Sequence, residues 1–248
     1  MITHANGYAA GCYEYLQKEL GKEHHVCALD FAGHGASEAT LDFDSWQFFR
    51  DQVLAFLDHK KWSKCSGIGH SLGGGSLLRA AQVDKDRFEK IIALDPVMLG
   101  FLKVTLVKLF GNPMAKVALN RRSVFKDKKA ALKIFQRHPA NRSWQNESVV
   151  SYVAYCLKDT EDKAVLCCPP AVESQVFSQA SYEHLFHLNE IKCEVLMVLP
   201  EKSEVIPQWV AKKITANHPG SKIHSVKGGH LFPFEDHVQL INLIRQGL

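Results

Sequence analysis

Short apolar runs alternate with amphipathic stretches along the first two-fifths of the chain. Each run is bounded by polar residues or glycine, and the stretches between runs repeat apolar residues three or four positions apart, as at Trp46, Phe49 and Val53. Short apolar runs are typical of buried strands, whereas the longer spacing is typical of helices that bury one face. We therefore predict strands over 26–29, 65–69 and 91–94, and helices over 44–59 and 71–82.

The same alternation returns near the C-terminus but is interrupted in the middle of the chain. Strands are predicted over 194–199 and 222–226, and helices over 209–216 and 238–245. Between about residues 99 and 190 the pattern indicates helices and no convincing strand. The helical patterns in this stretch lie around 102–110, 128–135, 148–157 and 172–186.

This organisation favours the α/β class, with a mostly parallel sheet that carries helices on both faces. Residues 1–98 and 191–248 are predicted to form the sheet domain, and residues 99–190 are predicted to form a helical cap inserted into it. Hydrophobic residues make up 46% of the chain and charged residues 23%, which excludes disordered, collagen-like and coiled-coil proteins.

The strongest chemical signal is the segment GHSLG at residues 69–73, a G-x-S-x-G pattern between a predicted strand and a predicted helix. Glycines on both sides of Ser71 permit a tight turn that exposes the serine Oγ above the sheet. The backbone N–H of Leu72, at the start of the helix, would then face a developing oxyanion. A glycine-rich turn without chemistry is the alternative interpretation of the same residues.

A serine hydroxyl needs a base, and a third group must orient that base. His230 follows two glycines just after the last predicted strand, so its loop could direct the ring at Ser71. The acid is expected after the penultimate strand, where Glu204 is our first choice. Asp95, at the end of the preceding core strand, is the rival, and both acids keep the chain order serine, acid, histidine.

These segments together resemble the α/β-hydrolase fold family. The elbow at 69–73, the turn DFAGHGAS at 30–37 and the segment HANGY at 4–8 are similar to the family's nucleophile elbow, D-x-x-G-H-G-x-S turn and oxyanion segment. The resemblance implies that the Tyr8 N–H is the second oxyanion donor beside Leu72. It covers nearly the whole chain.

The chain departs from the family pattern in three places. Ser203 stands where the family commonly has its catalytic Asp, Pro200 replaces a glycine before that loop, and Ala9 replaces a proline after the oxyanion segment. The family also places two strands and most of a third before the oxyanion segment, where this chain has three residues. We therefore expect N-terminal strands to be missing and a strand edge to be exposed.

The leading functional hypothesis is a serine hydrolase that cleaves carboxylic esters or lactones through an acyl-enzyme, with no cofactor and no metal. Ser71 argues against haloalkane dehalogenases and epoxide hydrolases, which resemble this fold but use an aspartate there. Carbon–carbon bond hydrolysis, cofactor-free haloperoxidase activity and acyl transfer stay open, because fold does not choose among them. A catalytically inactive or truncated binding module is the alternative from a different class.

Charge is distributed unevenly along the chain. The net charge is +4, but residues 116–142 contain nine basic residues and one acidic residue. This segment is either a solvated helical face or a region that attracts an anionic substrate, partner or membrane surface. The basic residues are not interleaved with aromatic ones, so the sequence gives no support for nucleic-acid binding. The longest apolar stretch is broken by Lys103 and Lys108, so no transmembrane segment is expected.

The seven cysteines show no C-x-x-C spacing, which favours reduced thiols over a disulfide framework or a zinc site. No secretory signal is visible at the N-terminus. A cytoplasmic protein is therefore expected.

Overall fold

The computed structural model describes all 248 residues and contains nine strands in two sheets. The main sheet has the order β2-β1-β3-β4-β8-β9, and every neighbouring pair in it is parallel. The strands are β1 (Ile2–Thr3), β2 (Ala28–Leu29), β3 (Cys65–His70), β4 (Phe88–Leu94), β5 (Val124–Phe125), β6 (Leu157–Asp159), β7 (Ala164–Leu166), β8 (Glu194–Pro200) and β9 (Lys222–Val226).

Ten α-helices connect or cover these strands. They are α1 (Glu14–Leu20), α2 (Gln47–His59), α3 (Leu72–Val83), α4 (Phe101–Phe110), α5 (Pro113–Leu119), α6 (Lys128–Arg137), α7 (Asn146–Cys156), α8 (Pro170–Ser178), α9 (Gln208–Thr215) and α10 (His237–Gly247). Side-chain caps begin three of them, at Asn112, Asp127 and Asp236, where an oxygen accepts an otherwise unpaired backbone N–H. None of the helices has the length and apolarity needed to cross a membrane.

Both faces of the main sheet are buried, because its strands send alternate side chains to opposite sides. In β4, Ile91 belongs to an apolar cluster that also contains Leu77 of α3, while Ile92 belongs to a second cluster with Leu16 of α1 and Ile244 of α10. Two cores on opposite faces are the expected consequence of parallel strands with crossover helices. The predicted α/β class, with a mostly parallel sheet and helices on both faces, is confirmed.

Residues 99–190 lie in the chain between β4 and β8, which are neighbours in the sheet. They hold α4–α8 and also a three-stranded antiparallel sheet of order β5-β7-β6. The expectation of helices alone was therefore wrong. Strands of two or three residues are too short to show an alternating pattern, and β6 follows α7 directly. The division into a core and an inserted cap stays a prediction.

Residues 4–8 follow an interior strand, because β1 lies between β2 and β3 and pairs Ile2 with both Ala28 and Ile68. The short strand β2 forms that edge of the sheet. Since all six strands run the same way, their carboxyl ends meet at one edge, where parallel α/β sheets place their sites. The loops after β1, β3, β4, β8 and β9 converge there.

Candidate active site

Ser71 occupies a strained turn between β3 and α3. Its φ of 54° and ψ of −114° lie outside the regions that most residues adopt. The turn leaves no room for side chains at its flanks, since a Cβ on Gly69 would lie 2.6 Å from the Gly74 nitrogen and one on Gly73 would lie 2.6 Å from the carbonyl carbon of Thr3. The two glycines of the motif are therefore required by close backbone packing.

His230 bridges Ser71 and an acid. Its Nε2 lies 2.8 Å from Ser71 Oγ, and its Nδ1 lies 2.6 Å from Asp95 Oδ2. The carboxylate can only accept at Nδ1, so Nδ1 carries the proton and Nε2 accepts from the serine hydroxyl. Gly228, with φ of +98°, turns the loop after β9 so that His230 reaches this position.

The acid that contacts His230 is Asp95, so the preference for Glu204 was wrong. Asp95 follows β4, is 1% exposed and has φ of 40°, a second strained residue in the site. Glu204 is exposed, and its backbone carbonyl accepts from Lys103 Nζ at 2.6 Å. Because β4 is adjacent to β3 in the sheet, its carboxyl end lies beside Ser71, which places Asp95 within reach of the same histidine.

Ser203 occupies the loop after β8 and donates a 2.5 Å hydrogen bond to the second oxygen of Asp95, Oδ1. The backbone N–H groups of Val205 and Ile206 approach Ser203 Oγ at 3.4 and 3.3 Å. Both oxygens of the buried carboxylate are thus paired, one with His230 and one with Ser203. Sequence analysis noted Ser203 only as a departure from the family pattern and did not identify this contact.

Of the two backbone N–H groups expected to bind an oxyanion, those of Leu72 and Tyr8, only the first is free of an intramolecular acceptor. Leu72 is the first residue of α3, where backbone N–H groups have no acceptor within the helix. The Tyr8 N–H instead donates to the Ala5 carbonyl at 3.1 Å, closing a turn in which Gly7 has φ of +79°. The prediction of Tyr8 as a free donor was therefore wrong. Within this turn, the N–H groups of Asn6 and Gly7 make no hydrogen bond.

Residues of the 99–190 segment hold this turn in place. Asn6 Nδ2 donates to the Glu173 carbonyl at 3.1 Å, and the Glu173 carboxylate packs on Gly7, where an added Cβ would lie 2.8 Å from Oε1. Arg121 donates to Glu173 Oε2 at 2.6 Å and to the Tyr152 hydroxyl at 2.7 Å. Sequence analysis counted Arg121 only as part of a basic segment, because the pairing joins residues far apart in the chain.

His70 connects the elbow to the loop that carries His230. Its Nε2 donates to the His230 carbonyl at 2.8 Å, so its Nδ1 accepts from the Tyr13 hydroxyl at 2.6 Å. Burial, with the nearby His230, holds the pKa of His70 well below its ordinary value, so the ring is neutral. The same Tyr13 oxygen accepts from the Ala5 N–H at 3.4 Å. A buried chain of polar groups therefore links the oxyanion segment, the elbow and the His230 loop.

Two further buried histidines support the first loops of the site. His4 accepts from the Phe31 N–H at 3.0 Å, and burial lowers its pKa to about 4. His34 Nε2 lies 3.1 Å from Asn6 Oδ1, and burial together with nearby His4 lowers its pKa to about 3. Both rings are neutral at pH 7. No group of three or more His, Cys, Asp or Glu side chains is arranged to hold a metal ion.

Comparison with known proteins agrees with this geometry. Residues 2–242 match the model of the alpha/beta hydrolase family. A serine hydrolase-like protein of Dictyostelium discoideum is 28% identical over 209 residues, which cover 76% of this chain and 56% of that protein. The chain thus spans little more than half the length of that relative.

Two solved structures share the fold at low identity. A crystal structure of E-2-(acetamidomethylene)succinate hydrolase superposes with a TM-score of 0.81 at 16% identity, covering 99% of this chain and 89% of that one. A thioesterase domain from the curacin biosynthetic pathway superposes with a TM-score of 0.77 at 15% identity, covering 99% and 89%. With a family match over nearly its whole length, the chain belongs to the alpha/beta hydrolase family.

Proposed function

We propose that this protein is a serine hydrolase that cleaves carboxylic esters or lactones through an acyl-enzyme. The observation that carries the proposal is the continuous hydrogen-bonded chain from Ser71 through His230 to Asp95, with a further hydrogen bond from Ser203. The arrangement supplies a nucleophile, a base and an orienting acid in the relative positions that acyl transfer requires.

In the first step Ser71 Oγ bonds to the substrate carbonyl carbon while its proton moves to His230 Nε2. The carbonyl π electrons move to oxygen, and the resulting oxyanion would be stabilised by the Leu72 N–H and by the free N–H groups of the Asn6–Gly7 turn. His230 then gives the proton to the departing alkoxide oxygen as the carbon–oxygen bond breaks. This leaves an ester on Ser71. A simple ester releases its alcohol at this step, whereas a lactone ring opens and its new hydroxyl group stays on the acyl chain bound to Ser71.

Water completes the cycle by the same route. His230 takes a proton from a water molecule, the hydroxide attacks the acyl carbon, and Ser71 recovers its proton as the carboxylic acid leaves. Asp95 keeps its negative charge throughout and stabilises the protonated imidazole that forms twice per cycle. Its two hydrogen bonds fix the carboxylate and so the direction of the His230 ring.

Ester or lactone hydrolysis suits this set of groups because both substrates have a leaving oxygen that one histidine can protonate. The serine hydrolase-like relative and the thioesterase-domain neighbour support acyl transfer from a serine. The competing hypothesis of an inactive binding module is disfavoured by the strained backbone at Ser71 and Asp95, since strain of this kind is maintained at working sites.

The seven cysteines are all free thiols, which supports the proposal of a cytoplasmic protein because thiols stay reduced there. Ser71 itself is only 5% exposed, and we propose that the 99–190 segment, whose Glu173 packs on Gly7, governs substrate access to it.

A fluorophosphonate probe, which phosphonylates activated serines, tests the proposal. We expect labelling of the protein that is lost in Ser71→Ala and strongly slowed in His230→Ala, and hydrolysis of p-nitrophenyl esters or simple lactones that the same changes abolish. Folding of each variant is checked by its melting temperature. A well-folded protein with no labelling and no turnover across the ester and lactone panel would refute the proposal.

A further inference from the structure

The helix α4 exposes an apolar stripe to solvent. Leu102, Leu106 and Leu109 lie four and three positions apart, so they share one face of the helix. Leu102 is 74% exposed and Leu109 is 69% exposed, whereas Val104 on the opposite face is buried in the core. The helix is thus anchored by one apolar face and presents a second one outward, which ordinary surface helices do not do.

The next helix in the chain also exposes apolar side chains. Phe110, at the end of α4, is 77% exposed. Met114 and Val117 of α5 are both more than half exposed, while Ala115 and Ala118 on the other side of α5 are buried. We call the exposed set the apolar ridge: Leu102, Leu106, Leu109, Phe110, Met114 and Val117. Concentrations of large exposed apolar side chains mark interaction surfaces.

The chain around the apolar ridge is strongly basic. Residues 101–142 contain eleven basic residues and a single acid, Asp127, for a net charge of +10. The carboxylate of Asp127 caps α6 by accepting the Ala130 N–H at 2.6 Å. Nine of the basic residues are exposed, and they are Lys103, Lys108, Lys116, Arg122, Lys126, Lys129, Lys133, Arg137 and Arg142.

Charge decides which partner fits this surface. A second copy of the chain docked through the apolar ridge would bring two segments of +10 together, which opposes self-association. An anionic phospholipid surface satisfies both features, because acyl chains accept Leu, Phe and Met side chains while the headgroups attract Lys and Arg. We propose that α4 and α5 dock this protein on anionic phospholipid membranes through the apolar ridge, together with exposed basic residues of 101–142.

The docking surface is connected to the catalytic side of the molecule. Lys103 of α4 donates to the Glu204 carbonyl at 2.6 Å, and the Met98 N–H donates to the Val205 carbonyl at 3.0 Å. This loop also carries Ser203, which bonds Asp95. A membrane bound at α4 would therefore lie beside the loop that carries Ser203.

Sedimentation with vesicles tests the proposal without reference to catalysis. The full chain is mixed with vesicles of phosphatidylcholine alone, or of phosphatidylcholine with about 30 mol% phosphatidylserine, at low and high salt. We expect the protein to pellet with the anionic vesicles at low salt, at least roughly tenfold more strongly than with the neutral ones, and to be released as salt rises. Ser71→Ala should bind equally well, which separates this outcome from failure of the proposed hydrolase.

Matched variants assign the binding to the surface. Leu102→Ser/Leu109→Ser/Phe110→Ser and, separately, Lys116→Glu/Arg122→Glu/Lys126→Glu should each weaken binding to anionic vesicles by about tenfold or more. Val238→Ser, which removes a similarly exposed apolar side chain from α10, and Lys212→Glu/Lys213→Glu on α9 should leave it unchanged. Melting temperatures confirm that each variant is folded.

Four outcomes would overturn the proposal. The first is no pelleting of the folded protein with anionic vesicles at low salt, and the second is pelleting that both sets of substitutions leave intact. The third is concentration-dependent dimerisation in analytical ultracentrifugation that the ridge substitutions abolish, without vesicle binding. That result would assign the ridge to contact between copies of the chain. The fourth is retention on poly-glutamate without vesicle binding, which would point to an acidic protein as the partner.

Discussion

The hydroxyl of Tyr13 lies 2.6 Å from Nδ1 of His70, and this contact fixes the direction of the buried imidazole. With Nδ1 accepting from Tyr13, Nε2 carries the proton and donates to the His230 carbonyl at 2.8 Å. His70, the residue before Ser71, thus holds the backbone of His230. Tyr13 and His70 are positioning residues, since neither lies in the hydrogen-bonded chain of Ser71, His230 and Asp95.

Tyr13→Phe removes the donor to His70 and leaves Nδ1 buried without a partner. We expect kcat on p-nitrophenyl acetate to fall about tenfold, with KM nearly unchanged. The unpaired buried nitrogen should also lower the free energy of unfolding by about 1–3 kcal/mol, which a lower melting temperature would reveal. The pH dependence of kcat/KM should also shift, because the loop that holds His230 is loosened. Steady-state kinetics across pH measure both effects.

Tyr155→Phe is the matched control, because Tyr155 is exposed and makes no contact with the triad residues. A Tyr13→Phe variant with a lower melting temperature but unchanged kcat and pH profile would show that Tyr13 is structural only.

Exchange of the two rival acids for their amides should give very different results. Asp95→Asn makes the side chain unable to hold the protonated imidazole and favours the wrong tautomer of His230, so kcat should fall by about 10³–10⁴-fold. Glu204→Gln should stay within about twofold of the parent, since Glu204 is exposed and has no contact with His230. Equal losses in the two variants would contradict the placement of the acid after β4.

Removal of one partner of the Arg121–Glu173 ion pair should strongly lower the stability of the protein. Arg121→Met leaves the largely buried Glu173 carboxylate without its 2.6 Å partner, and we expect about 3–5 kcal/mol lower stability in urea unfolding. Labelling of Ser71 should also slow, because Glu173 packs on Gly7 in the oxyanion turn.

Arg121→Met/Glu173→Gln should recover much of the lost stability, since it removes both charges. Arg122→Met is the control, because Arg122 is exposed and pairs with no carboxylate. Its guanidinium only donates to the Val124 carbonyl and lies over the Phe125 ring. A double variant as unstable as the single one would show that the pair is not coupled.

Stability should fall as the pH drops below about 6.5. His4, with a pKa of about 4, and His34, with a pKa of about 3, stay neutral in the folded protein while the unfolded chain takes up protons near pH 6.5. Since the unfolded state then binds more protons, stability is full above pH 6.5 and declines toward pH 4, by about 1.4 kcal/mol per pH unit for each such histidine. Urea unfolding at pH 7.5, 6 and 5 measures the slope.

His34→Gln should reduce that slope, and His59→Gln, at an exposed position of α2, should not. A slope unaffected by His34→Gln would assign the acid sensitivity to other groups.

The main sheet was largely predictable because its signals are local. Runs such as 91–94 are apolar over their whole length. The glycines around Ser71 are required by a tight turn, and the turn lies within the same short stretch of sequence. The small strands β5, β6 and β7 left no signal, because two or three residues cannot show a period. The pairing of Arg121 with Glu173 left none either, since it depends on how α8 approaches the oxyanion turn.

The sequence by itself determined the α/β class and singled out Ser71 and His230 as the proposed nucleophile and base, because each is marked by residue types at fixed spacing in one stretch of chain. Only the tertiary structure decided which acid contacts His230 and which N–H groups near Ser71 are free. Asp95 and Glu204 follow neighbouring parallel strands, β4 and β8, and both have a plausible chain position. They differ because Asp95 Oδ2 lies 2.6 Å from His230 Nδ1. This contact depends on the strained, buried backbone of Asp95, which residue spacing in the sequence cannot predict.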